Sequence, residues 1–299
     1  MRAINFNKLK ITVSILSAFI VISCAGRKAV FLEEQVVPPS QENIPVNEAT
    51  IKTPRMIADS LWNLRGEPDK AREMLSAYIE AYNLEPNDLK LAARLARAYY
   101  LVANYVETDP EKKDELFTKG LEVGERGLGQ IPEFRKVYQE TNNLKKALAT
   151  VGIENIDLIY WTGANLGKWA ADKNLLVRLG NKSKIEAYNQ RVFDLDRNFF
   201  YGAADRFFGA LPTRVPGGDL NLSKYHFEKS LEIEPNYFGT RTLYAEYYAT
   251  KAQDIETFRK QLEYVINTPY DIIPEIAPEN KYEQEYAKKL LRRIDEFFK

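Results

Sequence analysis

Leu84-Glu85-Pro86-Asn87 and, 149 residues later, Ile233-Glu234-Pro235-Asn236 share one phrase, Glu-Pro-Asn after an aliphatic residue. Aligned on it, Ala81 pairs with Ser230, Ala96 with Ala245 and Tyr99 with Tyr248. Proline lacks the amide hydrogen a helix interior needs and its ring crowds the preceding turn. Each phrase therefore reads as a turn between two helices. Small residues at fixed offsets let paired helices approach, and the tyrosine is sized to fill their seam. Outward from the first phrase, Leu91, Leu95, Ala98, Tyr99 and Val102 recur three or four apart over 87–106, with Asn87 or Asp88 placed to cap. Asp109-Pro110-Glu111 opens the next helix, which carries Leu116, Leu121 and Val123. Helical spacing continues over 154–171, 183–197, 222–233, 238–252, 256–266 and 279–298. No stretch keeps strict alternation between turn residues, so the expected fold class is all-α.

A proline-stopped helix followed by one with small and aromatic residues at set offsets resembles the tetratricopeptide helix pair. The resemblance implies a helical-hairpin solenoid over residues 54–299, against the plainer reading of a generic helical bundle. The first helix of each unit departs from the pattern. Helix pairs of this kind bury their faces by stacking, which leaves a concave surface suited to a peptide or helix.

The N-terminus points outside the cytoplasm. Arg2, Lys8 and Lys10 precede an apolar run from Ile11 to Val21, and Ser23-Cys24 closes it. Basic, apolar and small in that order describe an export signal over 1–23. A cysteine directly after the small residue resembles the bacterial lipobox, whose thiol is lipidated and becomes the mature N-terminus. An ordinary signal and an uncleaved anchor are the alternatives, the apolar run being short of the roughly 20 residues that span a bilayer. Lipid on Cys24, the only cysteine, leaves none for disulfides, zinc or thiol chemistry. Ala25 rather than Asp follows it, so the expectation is a membrane-anchored protein on the outer membrane, facing the periplasm. Residues 24–53, with Pro38, Pro39 and Pro45 and no helical period, read as a flexible tether.

Composition narrows the function. The chain has 42 bases and 42 acids, and loss of the signal's three bases leaves 39 against 42. A faintly acidic, mixed surface argues against nucleic acid as a partner. His226 is the single histidine, read as a satisfied surface or half-buried residue. With one histidine and one cysteine, Ser-His, Cys-His and His-metal arrangements are nearly excluded, so no catalytic residue, metal or cofactor is expected. Gly124, Gly127 and Gly129 lack the strand-loop-helix setting of a phosphate loop. Acidic runs such as Asp109-Pro110-Glu111 and Glu232-Ile233-Glu234 look like helix starts and solvated faces; a carboxylate-dependent cell-wall glycosidase stays as a weak third reading.

Two blocks carry more. In 158–171, Gly163 and Gly167 lie one turn apart in an apolar helix, flanked by Trp161 and Trp169 with Asn165 between. Glycine in a helix interior costs about 1 kcal/mol relative to alanine, so something must come close to the backbone. A neighbouring helix satisfies that; a partner segment or ligand between the tryptophans is the sharper reading. In 199–209, Tyr201 and Arg206 sit in an aromatic run that reads as a short helix, followed by a loop through Gly217-Gly218-Asp219 that caps the next one. Arg206 among aromatics needs an acidic or carbonyl partner, or it engages an anionic group.

Together with the Ser-Cys and Glu-Pro-Asn phrases, Trp161-Thr162-Gly163-Ala164-Asn165 and the run from Arg206-Phe207-Phe208-Gly209 to Gly217-Gly218-Asp219-Leu220 resemble the T component of TRAP transporters. Gly202-Ala203-Ala204 departs from the family, where a second glycine and a proline are expected. The resemblance implies a periplasm-facing, homotrimeric lipoprotein scaffold that docks the solute-binding P component and passes or holds its ligand. The groove residues would be Trp161, Gly163, Asn165, Gly167, Trp169, Tyr201 and Arg206. A tetratricopeptide lipoprotein of outer-membrane assembly is the alternative.

Overall fold

The computed structural model describes residues 27–33 and 52–298. Cys24 and the signal lie outside them. The described residues form an all-α chain with no strand. Helices α1 (Pro54–Trp62), α2 (Pro68–Leu84), α3 (Leu89–Leu101) and α4 (Pro110–Gln130) lead to the short α5 (Pro132–Thr141) and α6 (Leu144–Leu148). Then come α7 (Ile156–Ala171), α8 (Leu175–Leu195), α9 (Phe199–Thr213), α10 (Leu220–Ile233) and α11 (Phe238–Leu243). A single turn, α12 (Thr250–Ala252), precedes α13 (Ile255–Asn267), α14 (Ala277–Arg292) and α15 (Ile294–Phe297).

Both Glu-Pro-Asn phrases are turns, one between α2 and α3, the other between α10 and α11. The small residues paired by the repeat, Ala81, Ala96, Ser230 and Ala245, are all buried, and so are Tyr99 and Tyr248. Of the two capping candidates, Asp88 does the work, its carboxylate accepting from the Lys90 and Leu91 amides. Asp109 and Asp219 cap α4 and α10 in the same way. After each phrase the second helix loosens into a π turn, Val102–Val106 following α3 and Tyr244–Ala249 following α11. Such turns often mark functional sites.

Two apolar cores result. The larger joins α1 through α8, and the smaller joins α10, the second π turn, α13 and α14. The α4–α7 crossing is close because Gly120, Gly124 and Gly127 of α4 face Asn165, Thr162 and Leu158 of α7. The last long helix returns to the first. Arg65, 2% exposed, donates to the Trp62 carbonyl at 2.8 Å and to Glu279 of α14 at 2.8 Å. Arg97 of α3 reaches the same carboxylate at 3.0 Å. Arg65, Arg94 and Arg97 all lie over the Trp62 ring. Glu283, one turn on, accepts from the hydroxyls of Tyr105 and Thr242 at 2.8 and 2.6 Å. A buried carboxylate needs such partners to stay charged, and these clasp α14 to both ends of the solenoid.

Three local expectations change. Within the stretch read as a tether, residues 27–33 lie against the domain: Phe31 packs on Phe134 and Tyr138, and Arg27 pairs with Glu125 at 2.7 Å and Glu122 at 3.1 Å. Glu125 also accepts from the Val30 amide, and the Arg27 carbonyl accepts from Lys184. Helix α8 begins at Leu175 rather than 183, because Asn174 caps it on the Val177 amide. The aromatic block is not one straight helix: Phe200, Tyr201 and Gly202 all take left-handed dihedrals, with φ of 43°, 60° and 70°. For a non-glycine residue that costs about 1–2 kcal/mol. The compensation is visible, since the kink turns the Phe200 and Tyr201 carbonyls onto Arg206 at 3.4 and 3.2 Å.

Candidate functional site

Helices α7, α8 and α9 enclose a cavity of about 190 Å³, and a second of about 630 Å³ lies toward α14. Tyr100, Tyr160, Lys168 and Arg206 line both. The walls of the smaller are mostly apolar, with Ala164, Ala203, Leu211 and Leu243 among them. Its charged residues are Lys168, Arg178, Lys182, Arg206 and Arg214, and no carboxylate lines it. The larger adds an acidic side with Glu246 and Glu283. The π turns contribute Tyr105 and Tyr247, so the widened backbone sits in the cavity wall.

Arg206 is nearly buried without a carboxylate partner. Besides the two kink carbonyls it donates to Thr240 Oγ1 at 3.2 Å and to the Tyr160 hydroxyl at 3.3 Å, and its guanidinium lies 4.2 Å from the Tyr237 ring. Its neighbour Asp205 is fully buried and pairs elsewhere, with Arg197 at 2.7 Å and His226 Nδ1 at 2.8 Å. Burial pushes the Asp205 carboxyl up, but the hydrogen bonds to His226 and Arg197 outweigh it and hold it below the usual range. His226 is thus half-buried and partnered, as expected of it. Lys168 is different. Burial disfavours its charge, while the Tyr100 and Tyr247 hydroxyls and the Glu283 and Glu246 carboxylates more than restore it, so its pKa is raised and the amine stays protonated. Burial conversely raises Glu246, against a hydrogen bond from Tyr286.

The sequence-derived groove residues separate into different roles. Gly163, Gly167 and Arg206 line the smaller cavity. A Cβ on Gly163 would lie 2.6 Å from Tyr188 Cβ, so this glycine admits the neighbouring helix α8; a Cβ on Gly167 would meet only Ile185, at 3.7 Å. Asn165 is buried at the α3–α4 contact and donates to the Ala96 and Trp161 carbonyls. Trp161 and Trp169 line neither cavity. Trp161 is buried against Tyr100 and Phe200 with Arg97 over its ring, and Trp169 packs under Lys173. Residues eight apart on a helix fall on nearly one side, but the cavity lies off that side. Tyr201 stacks on Tyr237 at 5.3 Å and faces a separate depression with Trp62 and Arg94. Lys168, Tyr100 and Tyr160 were missed. Lys168 carried a usable signal, being one of two charges in the sixteen residues of α7.

The helical-hairpin fold, with α14 clasped to Arg65 and Arg97 through Glu279, thus surrounds an apolar, cation-bearing cavity. Among the described residues no cluster of His, Cys, Asp and Glu is set up for a metal ion, and no helix is long and apolar enough to cross a membrane. The chain belongs to the TRAP transporter T-component family, whose model matches residues 107–298, well over half of its length. The match includes α7, α8, α9 and α14, and hence most of the cavity wall. No curated protein sequence matches the chain.

Proposed function

We propose that the protein is a non-catalytic, lipid-anchored scaffold that docks the solute-binding P component of a TRAP-type system and holds that system's ligand in its cavity. The observation that carries the ligand half is the smaller cavity, whose apolar walls surround Lys168 and Arg206 and include no carboxylate. That chemistry suits an organic acid with an apolar body. A desolvated guanidinium such as that of Arg206, which has no carboxylate partner, favours an anion strongly. Family membership supports the docking half and a homotrimer. The order of basic, apolar and Ser23-Cys24 residues supports lipid attachment at Cys24, on the outer membrane facing the periplasm.

Copurification from a detergent extract tests the partner: the solute-binding protein is expected, and barrel-assembly subunits in its place would refute the reading. Calorimetric titration with hexanoate tests the cavity. Binding should fall at least tenfold in Lys168→Met while unfolding midpoints stay put. Equal affinity in both proteins would remove Lys168 from the site.

A further inference from the structure

The strap at 27–33 and the first half of α8 together say which way the domain faces. Leu175, Leu176 and Leu179 are exposed on α8, Leu176 by 72%. They stand in the run 173–184, which holds four cations (Lys173, Arg178, Lys182 and Lys184) and no acid. Lys173 is bridged to Asp114 and Lys182 to Glu186, while Arg178 and Lys184 have no carboxylate partner among the described residues. Exposed leucines interleaved with basic residues are what an interfacial helix presents to anionic lipid.

The strap supplies the second observation. Lys184 donates to the Arg27 carbonyl at 2.8 Å, and Arg27 is locked to Glu125 and Glu122 of α4. Cys24 is three residues upstream, a reach of about 10 Å even fully extended. Leu179 and Leu176 precede Lys184 by five and eight residues, roughly 8 and 12 Å along the helix. We infer that the basic, leucine-bearing start of α8 rests on the anionic lipid surface into which Cys24 is anchored. This rests on the reading of Cys24 as the acylated residue. A like face of a second copy is disfavoured, since it would set the same cations against one another. Leu175, Leu179 and Lys182 also line the smaller cavity, so its apolar mouth opens at the headgroups.

The test uses the full-length lipoprotein in vesicles containing phosphatidylglycerol. Acylation consumes the thiol of Cys24, so Leu176→Cys offers a unique labelling site for an environment-sensitive fluorophore; Glu256→Cys on α13 is the control. Expected are a blue shift and a several-fold loss of iodide quenching at 176 on reconstitution, with none at 256, and a weaker effect in vesicles of zwitterionic lipid. Equal quenching at both positions in protein that carries fatty-acid label overturns the membrane placement alone. Protection at 176 without vesicles, rising with protein concentration, assigns the face to a second copy and overturns it too. Absence of fatty-acid label overturns the anchor reading and the placement with it.

Discussion

Replacing Gly163 and Gly167 by alanine, one at a time, should give variants that differ in stability by about 1–3 kcal/mol. Both glycines lie inside α7, so each substitution gains about 1 kcal/mol of helix propensity, and that gain cancels when the two variants are compared. What remains is contact. At 167 the new methyl meets Ile185 Cγ2 at 3.7 Å, an ordinary van der Waals distance. Gly167→Ala should therefore stabilise by about 1 kcal/mol, or about 2–4 °C in Tm for a domain of this size. At 163 the methyl would lie 2.6 Å from Tyr188 Cβ and 3.1 Å from its Cγ. Those atoms are the root of a fully buried side chain and cannot swing aside, so α7 and α8 must part. Overpacking of that kind costs about 1–3 kcal/mol, leaving Gly163→Ala neutral to about 2 kcal/mol destabilised. Urea unfolding followed by far-ultraviolet circular dichroism reads the difference, with equal m-values as the check on comparability. If Gly163→Ala is stabilised as much as Gly167→Ala, the assignment of one glycine to packing and the other to the cavity is wrong.

Tyr99→Ala and Tyr248→Ala should each lose about 3 kcal/mol or more by chemical denaturation, both rings being buried in equivalent seams; unchanged midpoints would undo the repeat. Asp205→Asn should cost about 2 kcal/mol at pH 6, less than a fully buried pair because Arg197 is 39% exposed. The folded Asp205 carboxyl sits below its unfolded value near 3.9, so its stabilisation is complete above that pH and is lost as pH falls through the folded pKa. The gap between wild type and Asp205→Asn should accordingly hold steady down to about pH 4 and narrow below it, and a gap that stays constant on further acidification would count against the ion pairs. Glu125→Gln removes the charge that holds both Arg27 and the Val30 amide, so hydrogen exchange at Val30 should accelerate while the α3 and α7 amides keep their protection.

Legibility followed the strength of local chemistry. The Glu-Pro-Asn turns and the caps at Asp88, Asp109 and Asp219 could be read because proline geometry and side-chain capping act within four residues. The start of α8 could not, since Leu175, Leu176 and Leu179 face out and give the helix no inward stripe. Nor could the kink at Phe200 and Tyr201, because two aromatic residues at positive φ are held there by Arg206, a contact that only the tertiary fold creates. The aromatic bracket around the glycines failed for a related reason. Size and amphipathicity marked Trp161 and Trp169, but the clasp residue Arg97 and the surface residue Lys173 claimed them.

The clasp through Glu279 has a consequence in time. It joins partners 214 residues apart in the chain, Arg65 near one end and α14 near the other. Contacts of such separation form late, because so much loop entropy is surrendered before they reward it. During synthesis the N-terminal core can assemble as soon as α8 has emerged, yet the acidic side of the larger cavity lacks Glu283 until α14 arrives. A chain stopped before Glu279 would keep the residues of the smaller cavity, yet it would leave Arg65 and Arg97 facing no counter-charge and the larger cavity without Glu283.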